Sequence, residues 1–272
     1  MVHVPGHCYP LLLKLHLNSR SLASHRMPSA LHKSFWSLSL KTVDQAKRRL
    51  KNSRLFCALP FLQYTYLFDV SRAIVVPQLK LGFVPTPKVA NRSMKAAIAV
   101  TVDPQFKGEP HRANWEYTPL ALLRDNDYCR FAFVRNPLDR LVSCYTQKIV
   151  LYARQYNMPI EFWRYGKRFS RDMSFPEFVE AVCKIPDAYS DIHFRSQHTF
   201  IYHKGKCMVD FIGHFETLEK DWAHLCQRFG FPALPHYNRS AHGDYRDMYT
   251  PELTRLVYER YRKDIELFSY QE

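Results

Sequence analysis

The chain has 272 residues, of which 46% are hydrophobic and 15% aromatic, enough to build one sizeable α/β domain or two small ones and so to exclude wholesale disorder. Eight glycines and 17 prolines exclude a collagen-like or glycine-rich chain. The formal net charge of +14 sits mostly at the start: residues up to Arg54 hold ten Lys/Arg against the single acid Asp44, and the remaining 29 basic and 24 acidic residues describe a mildly basic body suited to one or two compact anions rather than to nucleic acid.

Residues 1–74 read as a basic N-terminal extension, partly disordered or helical, and residues 75–272 as the folded domain. The first 54 residues carry many Ser and basic residues among Leu, and no acid before Asp44. That composition fits an organelle transit peptide, an upstream extension ahead of an internal start at Met27, or a basic arm with a helix over Val43–Leu50. Leu11–Leu13 is too short an apolar core for a secretory signal. Leu55–Val76 contains Pro60, Gln63, Asp69 and Arg72, so no integral membrane span is expected.

From Val75 a short apolar strand runs into a loop and then a helix, three times. Leu79–Val84 leads to a helix through Met94–Ala99. Arg130–Val134 leads through Asn136-Pro137 to a helix from Leu138 to about Tyr152. Val209–Ile212 leads to Leu218–Phe229, where Leu218, Trp222, Leu225 and Phe229 recur at helical spacing, with Thr217 as N-cap and Gly230 just past the end. Ser174-Phe-Pro-Glu177 is a capping box and Thr250-Pro251-Glu252 a second helix start. The alternation predicts a parallel sheet with helices on both faces. Seven scattered cysteines without a C-x-x-C pair, and histidines without H-E-x-x-H spacing, read as thiols in a reducing compartment and as no metal site.

Two strand–helix junctions carry anion chemistry. The first reads Pro87-Lys88-Val89-Ala90-Asn91-Arg92-Ser93-Met94-Lys95. A helix that starts just after a strand offers unpaired N–H groups and the positive end of its dipole. Lys88 brings an ammonium to that place and Ser93 a hydroxyl, without the Walker sequence. The second reads Phe133-Val134-Arg135-Asn136-Pro137-Leu138-Asp139-Arg140, with Ser143 two turns along. Arg135 leaves the strand at the sheet's C-terminal edge; Arg plus hydroxyl makes a phosphate clamp. The alternatives are a solvated lysine in a proline-bounded loop, a salt bridge from Arg135 to an acid across the loop, and Ser143 as a small packing residue.

These junctions resemble the 5′-phosphosulfate loop and the 3′-phosphate motif of sulfotransferases that use 3′-phosphoadenosine 5′-phosphosulfate (PAPS), above all the carbohydrate sulfotransferases of the chondroitin 4-O- and HNK-1-type group and their bacterial relatives. Asp191-Ile-His193-Phe-Arg195-Ser-Gln197, Val209-Asp-Phe-Ile-Gly213-His-Phe-Glu216, His236-Tyr-Asn238-Arg239-Ser240 and the closing Tyr261–Tyr270 resemble further family segments, in the family's order, over about Lys80–Tyr270. One departure is the single hydroxyl of Asn91-Arg92-Ser93, where many members carry a Ser/Thr run.

The resemblance implies an α/β, P-loop-NTPase-like parallel sheet flanked by helices, and transfer of a sulfuryl group from PAPS, as co-substrate and without metal, to an acceptor hydroxyl, with carbohydrate as the family-level expectation. It implies that Lys88 and the backbone of Val89, Ala90, Asn91, Arg92, Ser93 and Met94 hold the 5′-phosphosulfate. It implies likewise that Arg135 and Ser143 hold the 3′-phosphate, that Arg239 and Ser240 lie near phosphate in a flap, and that Lys88 is the group expected to neutralise the leaving oxygen. His193 is the candidate base, with orientation of Gln197 or Arg195 as its alternative role; Glu216 reads rather as an ion-pair or capping residue. An ATP-dependent small-molecule or nucleotide kinase is the alternative function. A bacterial-type cytoplasmic location is expected, with the Golgi lumen as alternative.

Overall fold

The computed structural model describes residues 72–123, 127–160, 162–235 and 243–271. Five strands form one sheet: β1 (Arg72–Val76), β2 (Leu81–Val84), β3 (Glu116–Pro119), β4 (Cys129–Val134) and, last in the chain, β7 (Phe211–His214), in the order β3-β1-β2-β4-β7. Between them in sequence, β5 (Tyr202–His203) and β6 (Lys206–Cys207) make a small separate hairpin. β2, β4 and β7 are parallel, with Phe83 beside Phe131 and Phe133 beside Gly213. β1 runs antiparallel to both β2 and β3. The sheet is therefore mixed: the three strands recognisable in the sequence are its parallel core, and an antiparallel pair extends one edge. β1 begins at Arg72, among residues assigned above to the extension; residues 1–71, with the proposed arm and the Leu55–Val76 stretch up to there, lie outside the described residues.

Seven α-helices accompany the sheet among the described residues: α1 (Asn91–Val102), α2 (Pro137–Tyr145), α3 (Phe175–Cys183), α4 (His198–Ile201), α5 (Leu218–Phe229), α6 (Pro251–Arg260) and α7 (Arg262–Leu267). Side chains alternate across a strand, so β4 feeds two cores. Phe131 and Phe133 pack with Phe83, Met94 and Ile98 of α1, and Trp222 and Leu225 of α5. Ala132 and Val134 turn the other way, onto Ile201, Met208 and Phe268. A third cluster joins α2, α3 and α6 through Leu141, Phe178, Val257 and Tyr261.

The start signals read from sequence do what their chemistry dictates. Ser174 and Glu177 form the reciprocal capping box. Thr250 caps α6 ahead of Pro251. Gly230 ends α5 in the left-handed region at φ 70°. Thr217 differs: its hydroxyl binds Asp221 rather than capping α5. The helix expected to run to about Tyr152 leaves α-geometry after Tyr145 and continues as π-helical turns over Thr146–Gln155.

Candidate active site

β2 and β4 are parallel neighbours, so the loops that follow both emerge at one edge of the sheet, where open α/β sheets bind ligands. The first loop is bent by two non-glycine residues in the left-handed region, Lys88 at φ 71° and Ala90 at φ 45°. Such conformations persist only where the surroundings enforce them, commonly at ligand clamps. Ala90 sits at the N-cap of α1 without a side-chain cap, which leaves first-turn amides directed outward. Met94 is different: its amide bonds the Ala90 carbonyl and its side chain is fully buried, so it anchors the helix rather than facing the cleft.

The two junctions are tied together. An Arg135 guanidinium nitrogen donates to the Lys88 carbonyl at 3.2 Å. Arg140, almost entirely buried, donates to the carbonyls of Pro87, Ile192 and Arg195 at 3.1, 3.1 and 2.7 Å. It thereby holds the segment carrying His193 against the loop carrying Lys88. Its place in the Arg-Asn-Pro-Leu-Asp-Arg run was visible, but nothing local says that one guanidinium binds carbonyls from two distant segments.

Lys88 and Arg135 line one cleft of about 1650 Å³, together with Val89, Ala90, Asn91, Arg92, Ser93 and Ser143. Lys88 Nζ donates to Gln147 Oε1 at 2.8 Å. Burial, more than any neighbour, pulls its pKa down to about 8, and the nearby Lys148, Arg135 and Arg140 add to the effect. The salt-bridge alternative for Arg135 is realised inside the cleft: Nε and one terminal nitrogen each meet a carboxylate oxygen of Asp139 at 2.7 Å, and the guanidinium lies 4.0 Å from the centre of the Phe215 ring. Gln197 clamps the backbone on either side of this arginine, accepting from Arg135 N at 2.9 Å and donating to Arg135 O at 2.7 Å.

His193 is not among the residues lining the cleft. Its Nδ1 pairs with Asp191 Oδ1 at 2.7 Å, an arrangement that fixes the ring and makes Nε2 the basic nitrogen. Glu216 does line the cleft, accepting from the Asn136 amide at 2.6 Å and from the Tyr270 hydroxyl at 3.3 Å. Arg92 pairs with Glu109 at 2.7 Å while still lining the cleft. Arg239 and Ser240 lie outside the described residues.

These groups fit a doubly anionic nucleotide. An uncapped helix start with an ammonium beside it, and a strand-end guanidinium with the Ser143 hydroxyl, can each receive an anion. Asn91 lines the cleft, and its Oδ1 is buried without a hydrogen-bond partner among the described residues.

The profile of the sulfotransferase family matches residues 71–271. The chain belongs to the sulfotransferase family. It is a sulfotransferase, and the family implies PAPS as sulfate donor. Relatives include carbohydrate sulfotransferase 10 of Xenopus laevis, 26% identical over 85% of this chain and 78% of the relative, and of Homo sapiens, 27% identical over 82% and 75%. Carbohydrate sulfotransferase 9 of Homo sapiens is 28% identical over 54% of this chain and 38% of its own length. No solved structure matches. Membership sets aside the kinase alternative. It also corrects the expected location: the relatives are carbohydrate sulfotransferases of vertebrates rather than cytoplasmic bacterial-type enzymes. Among the described residues no helix is long and apolar enough to cross a membrane.

Proposed function

We propose that this sulfotransferase transfers the sulfuryl group of PAPS to a hydroxyl of a carbohydrate acceptor, using Lys88 at the 5′ side and Arg135 with Ser143 at the 3′ side. The observation that carries the reading is that Lys88 and Arg135, on neighbouring parallel strand ends, line one cleft with the start of α1 between them. The amides of Val89–Ser93 and the Lys88 ammonium bind the phosphosulfate. As the bond to the bridging oxygen breaks, negative charge accumulates there, and the ammonium stabilises it. Asp139 and Phe215 hold the Arg135 guanidinium in one orientation, so it meets the 3′-phosphate preorganised. His193, paired with Asp191 on the segment that Arg140 secures beside the Lys88 loop, is assigned as the base. The carbohydrate assignment is supported by the names of the relatives.

Retention on immobilised adenosine 3′,5′-bisphosphate, followed by a transfer screen from radiolabelled PAPS to a glycan panel, tests the reading. Binding with sulfation of at least one glycan is expected; failure to bind the bisphosphate rejects the cleft as the donor site. His193→Ala is expected to lose turnover while keeping bisphosphate affinity. Turnover of this variant that stays at the parent's level from about pH 6 to 9 rejects the base assignment.

A further inference from the structure

The π-helical turns that follow α2 carry Gln147, Leu151 and Tyr152 and end on Tyr156, and all four line the cleft. In an α-helix, residues five apart diverge by about 140° around the axis. Widening the turn brings such residues together: the Tyr156 amide bonds the Leu151 carbonyl at 2.9 Å, and Gln147 Nε2 donates to the Tyr152 hydroxyl at 3.1 Å.

Tyr152 is held from several sides. Gln147 fixes its hydroxyl, the Lys148 ammonium lies 5.3 Å from its ring centre, and Tyr156 stacks on it at 6.3 Å and 23°. Tyr156, by contrast, is 62% exposed, the highest exposure of any large hydrophobic side chain among the described residues, and no other residue of that exposed set lines the cleft. An aromatic ring braced from behind and open in front, inside a binding cleft, is a seat for a ligand with a flat apolar face.

We propose that Tyr156, backed by Tyr152, is the seat for a pyranose ring of the acceptor. The C–H face of a pyranose is apolar with partly positive hydrogens, and the face of a tyrosine ring is negative. The position also fits the chemistry. The contact chain from Tyr152 through Gln147 ends on the Lys88 ammonium, with both links at hydrogen-bond distance. The 3′-phosphate clamp meets Lys88 by a separate contact, Arg135 donating to the Lys88 carbonyl and lying on Phe215. A ring stacked on Tyr156 is therefore linked to the Lys88 ammonium through residues that the clamp does not use. This proposal rests on the sulfotransferase reading and adds where the acceptor sits.

The test uses the full chain with Tyr156→Ala and Tyr156→Phe. The probes are the p-nitrophenyl β-glycosides of glucuronic acid, galactose and N-acetylgalactosamine, observed by saturation-transfer NMR with adenosine 3′,5′-bisphosphate bound and by transfer from PAPS. Tyr156→Ala is expected to raise acceptor KM about tenfold, equivalent to one good aromatic contact, with PAPS KM and bisphosphate affinity unchanged. It should also lose saturation of the pyranose C–H protons. Tyr156→Phe, which keeps the ring, is expected to behave like the parent. Unchanged acceptor binding in Tyr156→Ala overturns the seat. A loss of bisphosphate affinity there assigns the ring to the nucleotide and overturns it as well. A parent protein that binds the bisphosphate but saturates none of the glycosides overturns the pyranose assignment. A parent that fails to bind the bisphosphate overturns instead the functional reading beneath.

Discussion

A buried ammonium beside several other cations is costly until an anion arrives. Lys88 is in that position, with a pKa lowered to about 8 chiefly by burial. The folded chain thus binds fewer protons than the unfolded chain between about pH 8 and the ordinary lysine range, so this group's contribution to stability increases with pH through that window. Catalysis as proposed has the opposite sign, because it needs the ammonium. kcat/KM for PAPS, which reports the free enzyme, is expected to fall as pH rises through about 8. The limb in kcat should lie higher, since a bound dianion favours the charged lysine; profiles measured at limiting and saturating PAPS check both. Lys88→Ala is expected to lower kcat by about 10²- to 10³-fold while changing bisphosphate affinity much less. Arg135→Lys keeps a charge but not the planar fork that meets Asp139 and lies on Phe215, so bisphosphate affinity should drop by about tenfold in a titration.

Among the elements, β7 is placed by a missing side chain. Gly213 faces Phe133 across the parallel ladder, and a Cβ there would lie 2.3 Å from the phenyl ring. Phe133 is buried among Trp222, Phe211 and Phe131, so the ring has little room to retreat. Gly213→Ala is expected to destabilise the fold by about 1–3 kcal/mol, the usual cost of overpacking, visible as a lower urea midpoint. Ser174→Ala removes the capping box of α3 and should cost about 1 kcal/mol in the same measurement, without changing PAPS KM. The period of apolar residues made these elements legible. It did not reveal the π-helical turns, because Ile149 and Ala153 keep ordinary helical spacing toward the core while the change lies in which carbonyl each amide finds.

Across the whole molecule, the segments that resemble family motifs converge through one buried carboxylate. Asp264, near the C-terminus, accepts from the amides of Gln197 and His198 at 2.6 and 2.8 Å, and Gln197 in turn grips the backbone of Arg135. Asp264→Ala leaves those buried donors without their acceptor and is expected to cost about 3 kcal/mol or more. Bisphosphate affinity should weaken with it, because the Arg135 clamp is no longer supported; thermal melts and titration of the variant measure the two effects. The sequence by itself determined the strands and helices of the parallel core and the two strand–helix junctions with their basic side chains. Those depend on residues near one another in the chain, through periodicity, capping and charge. Only the tertiary structure decided that Arg140 bolts three carbonyls together, that Gln147 holds Lys88, and that β1 and β3 extend the sheet antiparallel. Each of these is a pairing chosen by proximity after folding, and a buried guanidinium or amide accepts any oxygen of suitable geometry, so no local pattern in the chain marks its partner in advance.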